Sequence, residues 1–164
     1  MPELEPAVSA WWQGLRQHLV NQGLNDGDLP KLLIKPEDYY AHWRNPTLLL
    51  SQTCGFPLTH ELHNQVQYVA TQSYQTAYTK GPTYCSLVLV HKTNSANHIS
   101  QLKHTRLAVN SDDSQSGYHA LRRFIAPLAG NERFFSEVVH SGSHRQSMAL
   151  VASREADVCA VDCV

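Results

Sequence analysis

No run of lysine or arginine occurs anywhere in these 164 residues, and the formal net charge is only -1. Clustered cations are what neutralise a phosphate backbone, so non-specific nucleic-acid binding is excluded and no nucleic acid is expected as a partner. No apolar stretch approaches the roughly 20 residues of a membrane-spanning helix. The opening residues, Met1-Pro2-Glu3-Leu4-Glu5-Pro6, lack the basic start and apolar block of an export signal. The chain as it stands is therefore expected in the cytoplasm. Cys54, Cys85, Cys159 and Cys163 form no C-x-x-C pair, which removes the commonest zinc and thioredoxin-like patterns. Cys159 and Cys163 lie in an apolar run and read as small buried hydrophobes. In His60-Glu61-Leu62-His63 the second histidine comes one residue too early for H-E-x-x-H, so a surface helix or turn is the better reading. No G-x-S-x-G elbow is present either. No metal, cofactor or catalytic residue is expected.

What is present suffices for a core: 42% of residues are hydrophobic against 16% charged, a globular balance. Val8, Trp11, Trp12, Leu15 and Leu19 share one face of a helix from about Ser9 to Asn21, with Ser9 as its cap and both tryptophans as core anchors. Leu32-Leu33-Ile34 predicts a short strand, and Pro36 to Trp43 a weaker helix ended by Asn45-Pro46. The run Thr47 to Gln52 reads as a buried strand, with further strands at Val66 to Thr71 and Tyr84 to His91. The polar segment Thr93 to His98 predicts a crossing between two halves, 1–93 and 94–164. In the second half, Leu107-Ala108-Val109, Val138-Val139 and Val158 to Val161 are strands. Between them lie one helix facing inward through Tyr118, Leu121, Phe124, Ile125 and Leu128, and another containing Met148 and Val151. This is a βαβαβ unit with a parallel sheet.

Ligands of parallel sheets bind beyond the C-terminal ends of the strands, where loops enter helices. Both such loops in the second half are rich in small hydroxyl residues: Asn110-Ser111-Asp112-Asp113-Ser114-Gln115-Ser116-Gly117-Tyr118 and His140-Ser141-Gly142-Ser143-His144. A helix N-terminus offers unpaired N–H groups and a partial positive charge. Ser114, Ser116 and Ser143 add hydroxyl donors, and Gly117 and Gly142 allow close approach of the backbone. The pattern suits a phosphate-like oxyanion held without an obligatory lysine. The plainer alternative is that these serines are ordinary helix caps, and His144 either donates to an anion or faces solvent.

Ser51-Gln52-Thr53-Cys54-Gly55-Phe56-Pro57-Leu58, Tyr84-Cys85-Ser86, Ala108-Val109-Asn110 with Ser114-Gln115-Ser116-Gly117-Tyr118, Ser141-Gly142-Ser143-His144, Ala152 with Ala156-Asp157, and Ala160-Val161-Asp162-Cys163 follow one another in the chain. In that order they resemble the phosphonate/phosphate substrate-binding proteins of ABC transporters. The resemblance implies an α/β, two-lobed periplasmic-binding fold of type 2, with parallel-sheet lobes carrying helices on both faces. It implies binding of a small phosphate, phosphite or phosphonate without catalysis, a transporter permease as partner, and a periplasmic location. Carried over by position, Ser114, Gln115 and Ser116 match the family's ligand-gripping segment, His144 its second-loop histidine, and Tyr84 a tyrosine reaching in from the first lobe. Gln52 and Thr53 match a strand end facing the cleft, and Asp162, at the end of the last strand, is expected either to accept from a protonated ligand oxygen or to take a solvent-facing or hinge role.

Against the family pattern the chain is expected to start after the first strand and to stop before the segment returning to lobe 1. An incomplete first lobe would expose a strand edge, and a homodimer would cover it. Two other functions compete: an enzyme resembling the thiamine-pyrimidine synthases, using His144 with Cys54, and a sensory or interaction domain.

Overall fold

The structure, a computed structural model, describes residues 2–164. It divides into two compact units, Met1–Asn45 and Pro46–Val164.

In the first unit, α1 spans Glu5–Asn21. It begins earlier than the apolar spacing predicts because Pro6, pre-set for helix, falls in its first turn. Ser9 therefore lies inside the helix rather than capping it. Trp12 is buried, only 4% exposed, and its Nε1 donates to Pro30 O at 3.1 Å. Trp11 and Val8 on the expected core face are instead exposed. Gly23 follows the helix at φ +101, a conformation only glycine adopts without strain. Helix α2, Tyr39–Trp43, starts three residues after Pro36 because Asp38 caps it, its side chain accepting from Ala41 N at 3.0 Å. Leu32-Leu33-Ile34 forms no strand, and Leu32 is 73% exposed. A β-favouring triplet needs a partner edge, and this unit contains none among its described residues.

The second unit is built on a four-stranded sheet of β1 (Ser86–Val90), β2 (Arg106–Val109), β3 (Glu137–His140) and β4 (Val158–Asp162). Their order is β1-β4-β2-β3. Strands β3, β2 and β4 are mutually parallel, as βαβαβ connectivity requires, while edge strand β1 runs antiparallel to β4. Alternate residues supply two cores. Leu107, Val109, Val158 and Ala160 pack with Leu121 and Ile125 of α3 (Ala120–Ala129) and with Phe134 and Phe135. Ala108, Cys159 and Val161 pack on the other face with Val151 of α4 (His144–Ala152) and with Ala156. Helices thus cover both faces of a mostly parallel sheet. Phe124 and Leu128, expected inward, are exposed because the buried stripe of α3 is narrower than its apolar content.

The N-terminal ends of β2 and β4 are tied by Asp157, which accepts from Arg106 N at 2.8 Å, Nε at 3.1 Å and a terminal guanidinium nitrogen at 3.0 Å. Arg106 holds the Asp157 carboxyl below the usual carboxylate range. Thr47 to Gln52 and Val66 to Thr71, both expected as strands, are irregular, and Leu49, Leu50, Tyr68 and Val69 are exposed. Their apolar content is right for strands, but no edge of this sheet receives them.

Candidate functional site

The C-terminal ends of the parallel strands gather side chains from four segments. At the end of β2, Asn110 begins the loop into a π-helical turn, Gln115–His119, which runs directly into α3. Ser114 caps that turn, its Oγ accepting from Gly117 N at 3.0 Å and its carbonyl from the Tyr118 and His119 N–H groups. Ser114 therefore satisfies the capping reading, and at 3% exposure it has little freedom for anything else.

Ser116 is different. Its hydroxyl points across the sheet end, 3.2 Å from His144 Nε2 and 3.5 Å from Asp162 Oδ2, and its carbonyl accepts from Ser86 Oγ at 2.8 Å. His144 Nε2 also lies 3.3 Å from Asp162 Oδ2. Three elements thus meet here: the turn before α3, the first residue of α4 and the last residue of β4. Because β1 is antiparallel, its first residue, Ser86, sits opposite Asp162 at the same end. The His144 ring beside it holds the Asp162 carboxyl below its ordinary value, outweighing the effect of burial.

Gly117 makes the cluster possible. A Cβ there would overlap Asn110 Oδ1 and lie 2.9 Å from His144 Cε1. The backbone can pass between Asn110 and His144 only without a side chain. Asn110 Oδ1 and His144 Nδ1 are buried with no hydrogen-bond partner among the described residues.

The second loop is set by Ser141, whose N–H and Oγ donate to Val109 O at 2.8 and 3.1 Å and whose Oγ lies 2.7 Å from Ser147 Oγ. Gly142 takes φ +82. Ser143 caps α4, accepting from Gln146 N at 3.2 Å. That pattern presents His144 as the first helical residue.

Cys54, Phe56 and Tyr84 lie beside the cluster, whereas nothing brings Gln52 or Thr53 into it among the described contacts. Desolvation, the neighbouring Cys54 and the Asp162 charge all push the Tyr84 phenol up, so it stays a neutral hydroxyl. Desolvation also raises the Cys54 thiol, with Asp162 and Asp113 acting the same way against a backbone N–H donated by Gln115. Phe56 lies between two imidazoles, stacked on His119 at 3.7 Å and on His60 at 4.2 Å between ring centroids. Thr53 Oγ1 donates to Cys54 O at 3.3 Å, and Gln52 Nε2 donates to Gln72 Oε1 at 2.8 Å. Among the described residues no group of three or more His, Cys, Asp or Glu is placed to hold a metal.

Of the expected site residues, the structure brings Ser116, Gly117, His144 and Asp162 together, with Gln115 and Tyr84 beside them through Cys54 and Asp162. Ser114 and Ser143 act as caps. Asn110 and Ser86 complete the cluster but are not singled out by residue type alone; their one signal is position, each at a strand end facing the same loops.

Serine, histidine and aspartate in contact invite comparison with a hydrolytic triad, and the geometry argues against one. A relay needs the carboxylate on one imidazole nitrogen and the hydroxyl on the other. Here both approach Nε2, and Nδ1 has no partner among the described residues. The raised thiol likewise makes Cys54 a poor nucleophile at neutral pH.

Residues 48–163 match the family described as ABC transporter, phosphonate, periplasmic substrate-binding protein. No curated protein matches the chain. The family is periplasmic, and among the described residues no helix is long and apolar enough to cross a membrane.

Proposed function

The chain belongs to the phosphonate-binding periplasmic substrate-binding proteins of ABC transporters, and from that premise we propose that it binds a small phosphate- or phosphonate-like oxyanion at the Ser116–His144–Asp162 cluster without transforming it. The observation that carries this reading is the convergence of a hydroxyl, an imidazole and a carboxylate on one point beyond the C-terminal strand ends. In the structure these three groups contact one another. On binding, a ligand oxygen replaces the Ser116···His144 contact and accepts from Ser116 Oγ, from His144 and from first-turn N–H groups. Asp162 accepts a hydrogen bond from the O–H retained by a partly protonated phosphonate or phosphate. A fully ionised sulfate has none to give, so this carboxylate disfavours it. Tyr84, kept neutral, donates from the rim.

Under this reading residues 1–93 and 94–164 are the two lobes, with β1 the strand by which the first joins the sheet of the second, and the turn in which Asn94 N donates to His91 O at 2.8 Å begins the crossing between them. The implied partner is the permease of an ABC transporter, and the implied activity is delivery rather than catalysis. Isothermal titration with phosphate, phosphite, methylphosphonate and sulfate tests the assignment. Heat should accompany at least one of the first three, with sulfate weakest. A folded sample that binds none of them overturns it.

A further inference from the structure

We propose that Cys85 and Cys163 are a cross-strand disulfide site, which when oxidised staples β1 to β4 beside the Ser116–His144–Asp162 cluster. The two residues continue the antiparallel register by one step beyond the Ser86↔Asp162 pair. Cys163 N donates to Cys85 O at 3.1 Å, and Cys85 N donates to Cys163 Sγ at 3.4 Å. Facing residues of a hydrogen-bonded antiparallel pair have Cα atoms about 5.5 Å apart, inside the roughly 4.4–6.8 Å window that a disulfide spans. Both residues are partly exposed, unlike the sealed Cys159. The Cys163 side chain, as a hydrogen-bond partner, is the largest cause of the raised Cys85 thiol, which places the two sulfurs against each other.

The position gives the bond a consequence. Cys85 lies between Tyr84 and Ser86, and Cys163 follows Asp162. A disulfide here clamps together the strand ends that carry those three residues. It also closes a separation of 78 residues, and cross-links over long loops restrict the unfolded chain most. The family's compartment, the periplasm, is one in which disulfides form and persist. This inference stands on its own geometry, whatever ligand the site takes.

The oxidant is a small-molecule disulfide such as oxidised glutathione. One cysteine thiolate attacks a glutathione sulfur, the S–S bond breaks, and one glutathione thiolate leaves. The second cysteine thiolate then attacks the protein sulfur of the mixed disulfide and expels the second glutathione. Two protein thiols lose their protons and two electrons, and one oxidised glutathione becomes two reduced molecules.

The full chain is equilibrated with oxidised glutathione, blocked with iodoacetamide in denaturant, and digested with trypsin plus an endoprotease cutting before aspartate, which puts all four cysteines on separate peptides. The expected product links Gly81–Lys92 to Asp162–Val164, has lost two hydrogens, and leaves Cys54 and Cys159 alkylated. Its Tm exceeds that of the reduced protein. Cys54→Ser forms the same link, and Cys163→Ser, checked for folding by circular dichroism, does not. Four alkylated cysteines after oxidation, or a dominant link through Cys54, overturns the proposal.

Discussion

His144 and Asp162 meet through a single nitrogen: Nε2 lies 3.3 Å from Asp162 Oδ2, while Nδ1 is buried without a partner among the described residues. The imidazole is therefore oriented from one side only, and the carboxylate is its anchor. Asp162 is ionised more readily in the fold than in an unfolded chain. A lowered folded value stabilises the protein above the ordinary carboxylate range, about pH 4, and that contribution disappears as pH falls through the folded value. Asp162→Asn should therefore be less stable than the parent at pH 6, with the difference narrowing as the solution is acidified below about pH 4. Urea unfolding of both proteins across pH 2.5 to 6 (about the range set by carboxylate titration) reads this directly. A pH-independent difference would mean that the carboxylate charge is not what Asp162 contributes.

Gly117 is predicted to be intolerant of even a methyl group. A Cβ would meet Asn110 Oδ1 and crowd His144 Cε1, so Gly117→Ala should cost about 1–3 kcal/mol, the usual scale of overpacking. Asn110 is the obstacle, so Asn110→Ala in the same chain should recover part of that loss. The two changes should be non-additive in a denaturant double-mutant cycle. Additive losses would place the strain elsewhere.

Ser114 and Ser116, two residues apart, should separate cleanly. Ser114→Ala removes the acceptor for Gly117 N and should cost about 1 kcal/mol of stability, the typical value for a lost cap. Ser116→Ala should weaken phosphate or phosphonate affinity by about 1–3 kcal/mol, the range for a hydrogen bond to a charged group. Calorimetry paired with thermal unfolding distinguishes them. Unchanged affinity in Ser116→Ala would return that serine to a purely structural role.

The second half of the chain was legible because its signals are local and agree with one another. Val158-Cys159-Ala160-Val161 and Leu107-Ala108-Val109 are buried on both faces, and unbroken apolar runs of that length describe central parallel strands. The hydroxyl-rich loops then fall at the strand ends, where topology puts binding sites. Thr47 to Gln52 has an equally good apolar run and forms no strand. Nothing within a segment reports whether a partner edge exists to receive its N–H groups. The same limit applies to Trp11 and Phe124, whose helical spacing fits a core that does not extend to cover them. At the site, residue types pointed to Ser116 and His144, which are 28 positions apart in the chain. That Ser116 and Asp162 share one imidazole nitrogen, and that Asn110 is the reason for Gly117, are facts of three-dimensional placement only.

Tyr84 offers the sharpest test of whether the rim takes part in binding. Its phenol is pushed up by desolvation and by the neighbouring Cys54 and Asp162, so it remains a hydrogen-bond donor throughout neutral pH. It is 40% exposed, so loss of the hydroxyl should leave the core undisturbed. Tyr84→Phe should therefore keep its Tm within about 2 °C of the parent, since surface changes usually stay within ±0.5 kcal/mol. Affinity for the oxyanion should fall by the equivalent of about 1–3 kcal/mol if the phenol donates to a charged oxygen. The affinity loss should be uniform from pH 6 to 8, as expected for a donor whose ordinary pKa of about 10 is raised further. Unchanged affinity would remove Tyr84 from the site and leave the hydroxyl and imidazole of the Ser116–His144 pair as the side-chain donors to the ligand.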